Sequence, residues 1–212
     1  MPQSKALTKF DKIYGRAYGM VGRHWEIFEK FVEDDDQQEW DETHDDLFRA
    51  AIVLAVTAMD SYFANRFCEG LSPYLENHKL NKNLMKTLED AGFNTIEALG
   101  MFQMRRPRRR LHNLVKNNLD ELPFQNLKKV DDLYKGFGYD SITKRAQGLA
   151  RRKTLVATVQ SLVNRRNKIV HRGDYNSHGR LNEVKYASIL RQMNDLNLLV
   201  TKCDQLLAKR KI

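Results

Sequence analysis

The feature that most constrains this chain is a long three-four spacing of apolar residues at each of its ends. Leu7, Phe10, Tyr14, Ala17, Val21, His24, Phe28 and Phe31 form one row; Tyr186, Ile189, Met193, Leu196, Val200, Cys203 and Leu207 form the other. Residues three and four apart share one face of an α-helix, whereas a strand alternates in twos, so each row predicts a long amphipathic helix. The second row is narrow, as suits a seam packed lengthwise on another helix. Only 4 prolines and 11 glycines occur in 212 residues, too few turn formers for a sandwich, barrel or propeller. The 42% apolar content excludes wholesale disorder. No internal repeat, low-complexity tract or tight-turn hairpin is visible. The expected fold is all-α, an up-down helical bundle, and the length predicts a single domain over 1–212.

Between the two ends the punctuation predicts further helices. The first helix should occupy about 4–32, and an acidic segment to Asp46 follows it. Thr43 or Asp45 could accept the orphan N–H groups that open a second helix, expected to run to about Gly70. Ser72 with Pro73 in the first turn suggests a third helix, ending near Gly92. From 94 to 140 the chain is broken by Pro107, Pro123, Gly136 and Gly138, which predicts two or three short helices with basic connections. Residues 71–140 thus read as a helical, basic insertion. Helical patterning returns from about Ser141 to Val170, capped by Gly173, and the last helix should begin near Leu181. Cys68 and Cys203 match no paired redox or metal-ligand spacing, and Cys203 on the last seam should be buried. No stretch approaches 18 consecutive apolar residues and no signal-peptide core is present, so a cytoplasmic protein without a membrane partner is expected.

Charge is unevenly placed. Of the formal net charge of +9, residues 26–50 contribute a negative block of eleven acids against Lys30 and Arg49. Residues 101–172 hold eighteen Lys or Arg against Asp120, Glu121, Asp131, Asp132 and Asp140, with Arg105, Arg106, Arg108, Arg109 and Arg110 nearly contiguous. Such a block suits a polyanion, and equally a solvated surface that keeps the protein in solution.

Two charges stand where apolar residues belong. In the run from Ala50 to Ala64 the one charge is Asp60, and Val53, Val56, Asp60, Phe63 and Phe67 share a face. A buried carboxylate without a partner would cost several kcal/mol or take up a proton. Arg166 has the same peculiarity on the stripe of Val159, Leu162, Val163, Ile169 and Val170, so Asp60 and Arg166 are the expected pair. The alternative is an Asp60 at the stripe edge, capped by Ser61 or a tyrosine hydroxyl, with Arg166 reaching out to solvent.

Arg166 also opens the run Arg166-Asn167-Lys168-Ile169-Val170-His171, near the end of the penultimate core helix. This Arg, polar residue, three variable residues, His pattern resembles the active motif of the HEPN superfamily of all-helical ribonucleases, and the enlarged chain resembles its RiboL-PSP type. The resemblance covers about 43–70 and 149–207 as the core. It implies a HEPN-type bundle, an acid on an earlier core helix (here Asp60) that orients the motif arginine, and a homodimer. It also implies a setting in defence or toxin-antitoxin systems, with an antitoxin or regulatory protein as a possible partner.

The chemistry of these side chains fits RNA scission. RNA carries its own nucleophile, the 2′-hydroxyl, so cleavage needs proton transfer and neutralisation of phosphoryl charge, with no metal and no cofactor required in principle. His171 can exchange protons near neutral pH, and the Arg166 fork can hold two phosphoryl oxygens as their charge grows. Asn167 could fix the imidazole or bind phosphate. Arg166 and His171, five residues apart, lie about 140° around an ideal helix. Either the helix stops before His171 or two subunits build a composite cleft. Arg165, Lys168 and Arg172, with Arg105, Arg106, Arg108, Arg109 and Arg110, are the candidate RNA-backbone contacts. His24 is expected as a packing residue, and His44 makes a poor metal site. No His-Glu-x-x-His, glycine-rich phosphate loop or Gly-x-Ser-x-Gly elbow occurs. The expected function is a metal-independent endoribonuclease leaving a 2′,3′-cyclic phosphate. Its rivals are a non-catalytic RNA-binding or protein-interaction module and an assembly protein built on the two seams.

Overall fold

The computed structural model describes residues 3–33, 45–121, 124 and 126–209. The expected capping role of Thr43, the expectations for the acidic segment 34–44 including His44, the break at Pro123, and the side chain of Phe31 lie outside the described residues. Among those described, the chain forms nine α-helices, a short 3-10 turn and no strand, so the fold is all-α.

The helices are α1 Lys5–Glu33, α2 Asp46–Asn77, α3 Lys82–Asp90, α4 Thr95–Met101, α5 Pro107–Glu121, α6 Leu127–Tyr134, α7 Ile142–Ala150, α8 Leu155–Arg172 and α9 Tyr186–Lys209. The 3-10 turn Lys135–Phe137 follows α6. The two end rows fold as their spacing requires: Phe10, Tyr14, Ala17, Val21 and His24 are buried on α1, and Ile189, Met193, Leu196, Val200, Cys203 and Leu207 on α9. His24 is packed between Phe48, Trp25 and Tyr186 and reaches Asp45 at 3.3 Å.

α2 is the central element, in contact with α1, α5, α8 and α9. It buries side chains around most of its circumference, from Phe48 and Ile52 to Phe67 and Leu71. By length and composition α2 would also suit a bilayer, but 61% of its most apolar 18-residue window is buried inside the protein. An all-round apolar helix is what a bundle places at its centre.

Four local expectations are corrected. α2 does not stop at Gly70; it continues through Pro73 to Asn77. Leu71 and Tyr74 are buried on either side of the proline, with Tyr74 against Phe137. That burial outweighs the roughly 3 kcal/mol intrinsic cost of an interior proline. Asp45 precedes α2 but makes no side-chain cap. Its carboxylate instead accepts from the Tyr186 hydroxyl at 2.7 Å, tying α9 to the start of α2. The helix from Ser141 is split at Arg151, which takes a left-handed φ of 53° and ends α7. The last helix starts at Tyr186, not Leu181, because 174–182 closes on itself: Asn182 N–H donates to Asp174 O at 3.0 Å, and Tyr175 bridges Leu181. The stretch 94–140 forms three short α-helices and the 3-10 turn, and Pro107 opens α5.

Candidate active site

α8 carries the motif. Leu155, Val159, Leu162 and Val163 are buried on it, and one turn beyond Leu162 the same stripe presents Arg166. The helix ends at Gly173, whose φ of 57° is left-handed. Gly173 N–H donates to Ile169 O at 3.0 Å and Asp174 N–H to Lys168 O at 3.3 Å, a paired closure typical of glycine-ended helices. A side chain at this φ would be strained, and glycine avoids that.

The expected ion pair forms. Arg166 Nη2 donates to Asp60 Oδ2 at 2.8 Å and reaches the Phe124 carbonyl at 3.5 Å. The side chains are 11% and 16% exposed, so neither charge escapes to solvent. The pair is incompletely satisfied: Asp60 Oδ1 and Arg166 Nε are buried without a hydrogen-bond partner. Burial accordingly pushes the Asp60 carboxyl up to about 7, against the lowering influence of Arg166. The pair fixes a planar guanidinium on the motif helix, a group whose fork geometry suits phosphoryl oxygens.

His171 is exposed, and α8 remains helical through Arg172. The possibility that the helix stops before His171 is therefore excluded, and Arg166 and His171 leave α8 in directions about 140° apart. One protomer does not bring them to a single point. Asn167 is half-buried on the face between them.

The expected backbone contacts divide into three groups. Lys168 and Arg172 are exposed on α8, next to His171. Arg165 is engaged within the fold: its Nη2 donates to the buried Asp174 carboxylate and to the carbonyls of Asn182 at 3.0 Å and Glu183 at 3.2 Å. The Arg105–Arg110 segment lies at the other end of α2. There Arg108 pairs with Glu76, and Arg110 makes a two-pronged bond to Glu97 at 2.8 and 3.2 Å, while Arg105, Arg106 and Arg109 are exposed.

Sequence reasoning missed a second charged centre beside the motif. Asp174 is fully buried with a left-handed φ of 65°. It accepts from Arg49 Nε of α2 at 3.1 Å, from Arg165 of α8, and from Asn182 Nδ2 at 3.3 Å. This clamp holds the loop after α8 against α2, and so fixes the end of the helix that carries His171. A third buried pair, Arg66 to Asp204 at 3.1 Å with the Tyr62 hydroxyl on the same oxygen, joins α2 to α9. The available clue was that Arg49 and Arg66, like Asp60, fall on a helix whose neighbouring positions are almost all apolar. Among the described residues no three His, Cys, Asp or Glu side chains gather as a metal cage would require.

No curated protein and no solved structure matches the chain. The family model for the RiboL-PSP-HEPN domain matches residues 26–209, a span that includes the stretch 71–140 as well as the core helices. With most of its length covered, and an arginine to histidine motif ending its penultimate helix, the chain belongs to the RiboL-PSP-HEPN family.

Proposed function

We propose that the protein is a metal-independent endoribonuclease acting as a homodimer. The observation that carries this reading is the Asp60–Arg166 pair, which pins a guanidinium on the motif helix five residues before His171. In the proposed step the 2′-oxygen attacks the adjacent phosphorus, the bond to the 5′-oxygen breaks, and the products carry a 2′,3′-cyclic phosphate and a 5′-hydroxyl. Arg166 neutralises the phosphoryl charge. His171 removes the 2′-hydroxyl proton or supplies one to the departing oxygen, and Asn167 steadies the phosphate or the ring. Such positioned acid-base groups contribute about 10² to 10⁴ in rate. Since Arg166 and His171 diverge on one helix, the cleft is composite, with each subunit lending one of them. A cytoplasmic effector of defence or of a toxin-antitoxin pair, restrained by a regulatory protein, is the setting this activity suits.

The test is cleavage of a defined RNA with EDTA present, beside the same strand carrying 2′-deoxy at the scissile position. Cleavage of the first and survival of the second are expected; loss of activity on chelation contradicts the reading. Mixing inactive Arg166→Ala with inactive His171→Ala in equal amounts should restore cutting, because half of the dimers are then heterodimers and each of these holds one intact cleft. The divergence of the two side chains also favours a second reading, a non-catalytic RNA-binding module. It requires that the wild type bind RNA and leave it intact.

A further inference from the structure

We infer that the RNA strand beside the scissile bond lies in the polar groove between α8 and the start of α9. This rests on the ribonuclease reading above. Ser161, Asn164 and Lys168 of α8 form one wall, and Lys185, Ser188 and Gln192 form the other. The α8 residues continue the three-four spacing that next reaches His171 and Arg172, so the groove runs in line with the imidazole. From Ser161 to His171 the helix rises about 15 Å, room for a short strand rather than a single ion.

The chemistry of the lining is that of a phosphodiester backbone. Hydroxyls, amides and ammonium groups bind phosphate and sugar oxygens without reading base identity. Asn164 Oδ1 already accepts from Gln160 at 2.9 Å, so its NH2 is the group left for a ligand. Arg165 forms the floor and is fixed there by Asp174. The one acid of the lining, Glu183, is paired with Lys185 at 3.7 Å, with both side chains largely exposed, a contact that a phosphate can displace.

The arginine-rich segment is badly placed for the same strand. Arg108 is tied to Glu76, which lies about 24 Å along α2 from Asp60. Its surroundings include the exposed apolar residues Ile96, Leu99 and Phe102, with Glu97 joined to Arg110. The strand next to the cut therefore tracks Lys168 and Lys185.

The experiment measures binding of an uncleavable 2′-O-methyl oligoribonucleotide by fluorescence anisotropy across a salt series. The Lys168→Glu/Lys185→Glu double variant should bind about tenfold more weakly. Lys168→Ala and Lys185→Ala should each flatten the plot of log affinity against log salt by about 0.7. In cleavage assays the lysine variants should raise KM and leave kcat near the wild-type value. Circular dichroism melts should match the wild type, since both side chains are exposed. Arg105→Glu/Arg109→Glu should weaken binding less than the lysine pair. Wild-type binding by the lysine variants of an enzyme that still cuts RNA, or a larger loss from the arginine pair, overturns the groove assignment alone. A wild-type protein that neither binds nor cuts RNA overturns the ribonuclease reading with it.

Discussion

Two carboxylates flank the motif helix, Asp174 buried and Asp60 mostly so, and they are treated differently by the fold. Asp174 is fully enclosed and accepts from Arg49, Arg165 and Asn182, so its charge is matched from three directions. Asp60 has one cation on one oxygen, its other oxygen has no partner, and its carboxyl is pushed up to about 7. The matched Asp174 carboxylate acts as a clamp, because breaking it leaves an uncompensated buried charge, although Nε of Arg165 is itself buried without a partner. Incomplete satisfaction instead leaves Asp60 partly uncompensated, and burial raises its carboxyl. The comparison separates a carboxylate matched on all sides from one whose protonation responds to pH near neutrality.

The largest effect should come from the clamp. Asp174→Ala removes the partner of two guanidinium groups, and about 3–5 kcal/mol of stability should disappear in urea denaturation. If the loss is smaller than that caused by Asp60→Ala, the contrast between the two carboxylates fails. Arg49→Met should fall next, costing roughly 2–4 kcal/mol, because it leaves Asp174 buried with Arg165 and Asn182 alone.

Asp60 should announce itself through pH. Its folded pKa lies above the ordinary carboxylate value near 4, so the folded chain holds the proton more tightly than the unfolded one. That contribution is fully present below about pH 4 and is lost as pH rises through about 7. Wild-type stability should therefore decline across this window by more than that of Asp60→Asn. Denaturation at several pH values checks it, and parallel curves for the two proteins would remove Asp60 from the account. The smallest change belongs to His171→Ala, which should leave stability within about 0.5 kcal/mol while cleavage falls by about 10² or more.

The parts of this molecule that were legible in the sequence are those governed by periodicity. The two end helices follow from their apolar rows. The Asp60–Arg166 pair follows from the same rule in reverse, as two charges at positions whose neighbours on the stripe are apolar. What escaped depends on contacts remote in the chain. Pro73 and Gly70 looked like a helix boundary, and only the burial of Leu71 and Tyr74 carries α2 past them. Asp45 looked like a cap, but Tyr186, 141 residues away, engages its carboxylate. Asp174 sits in a loop without any period, and its partner Arg49 is 125 residues away. The arginine-rich segment was conspicuous in composition, yet position along α2 sets it apart from the motif.

The most direct measurement is the chemistry of the ends left on RNA. Incubated with a defined transcript, the wild-type protein should yield fragments ending in 2′,3′-cyclic phosphate, each matched by a 5′-hydroxyl fragment, and Arg166→Ala should yield neither. Fragments with 3′-hydroxyl and 5′-phosphate ends, or cutting that survives Arg166→Ala, would contradict a site built on the Asp60–Arg166 pair.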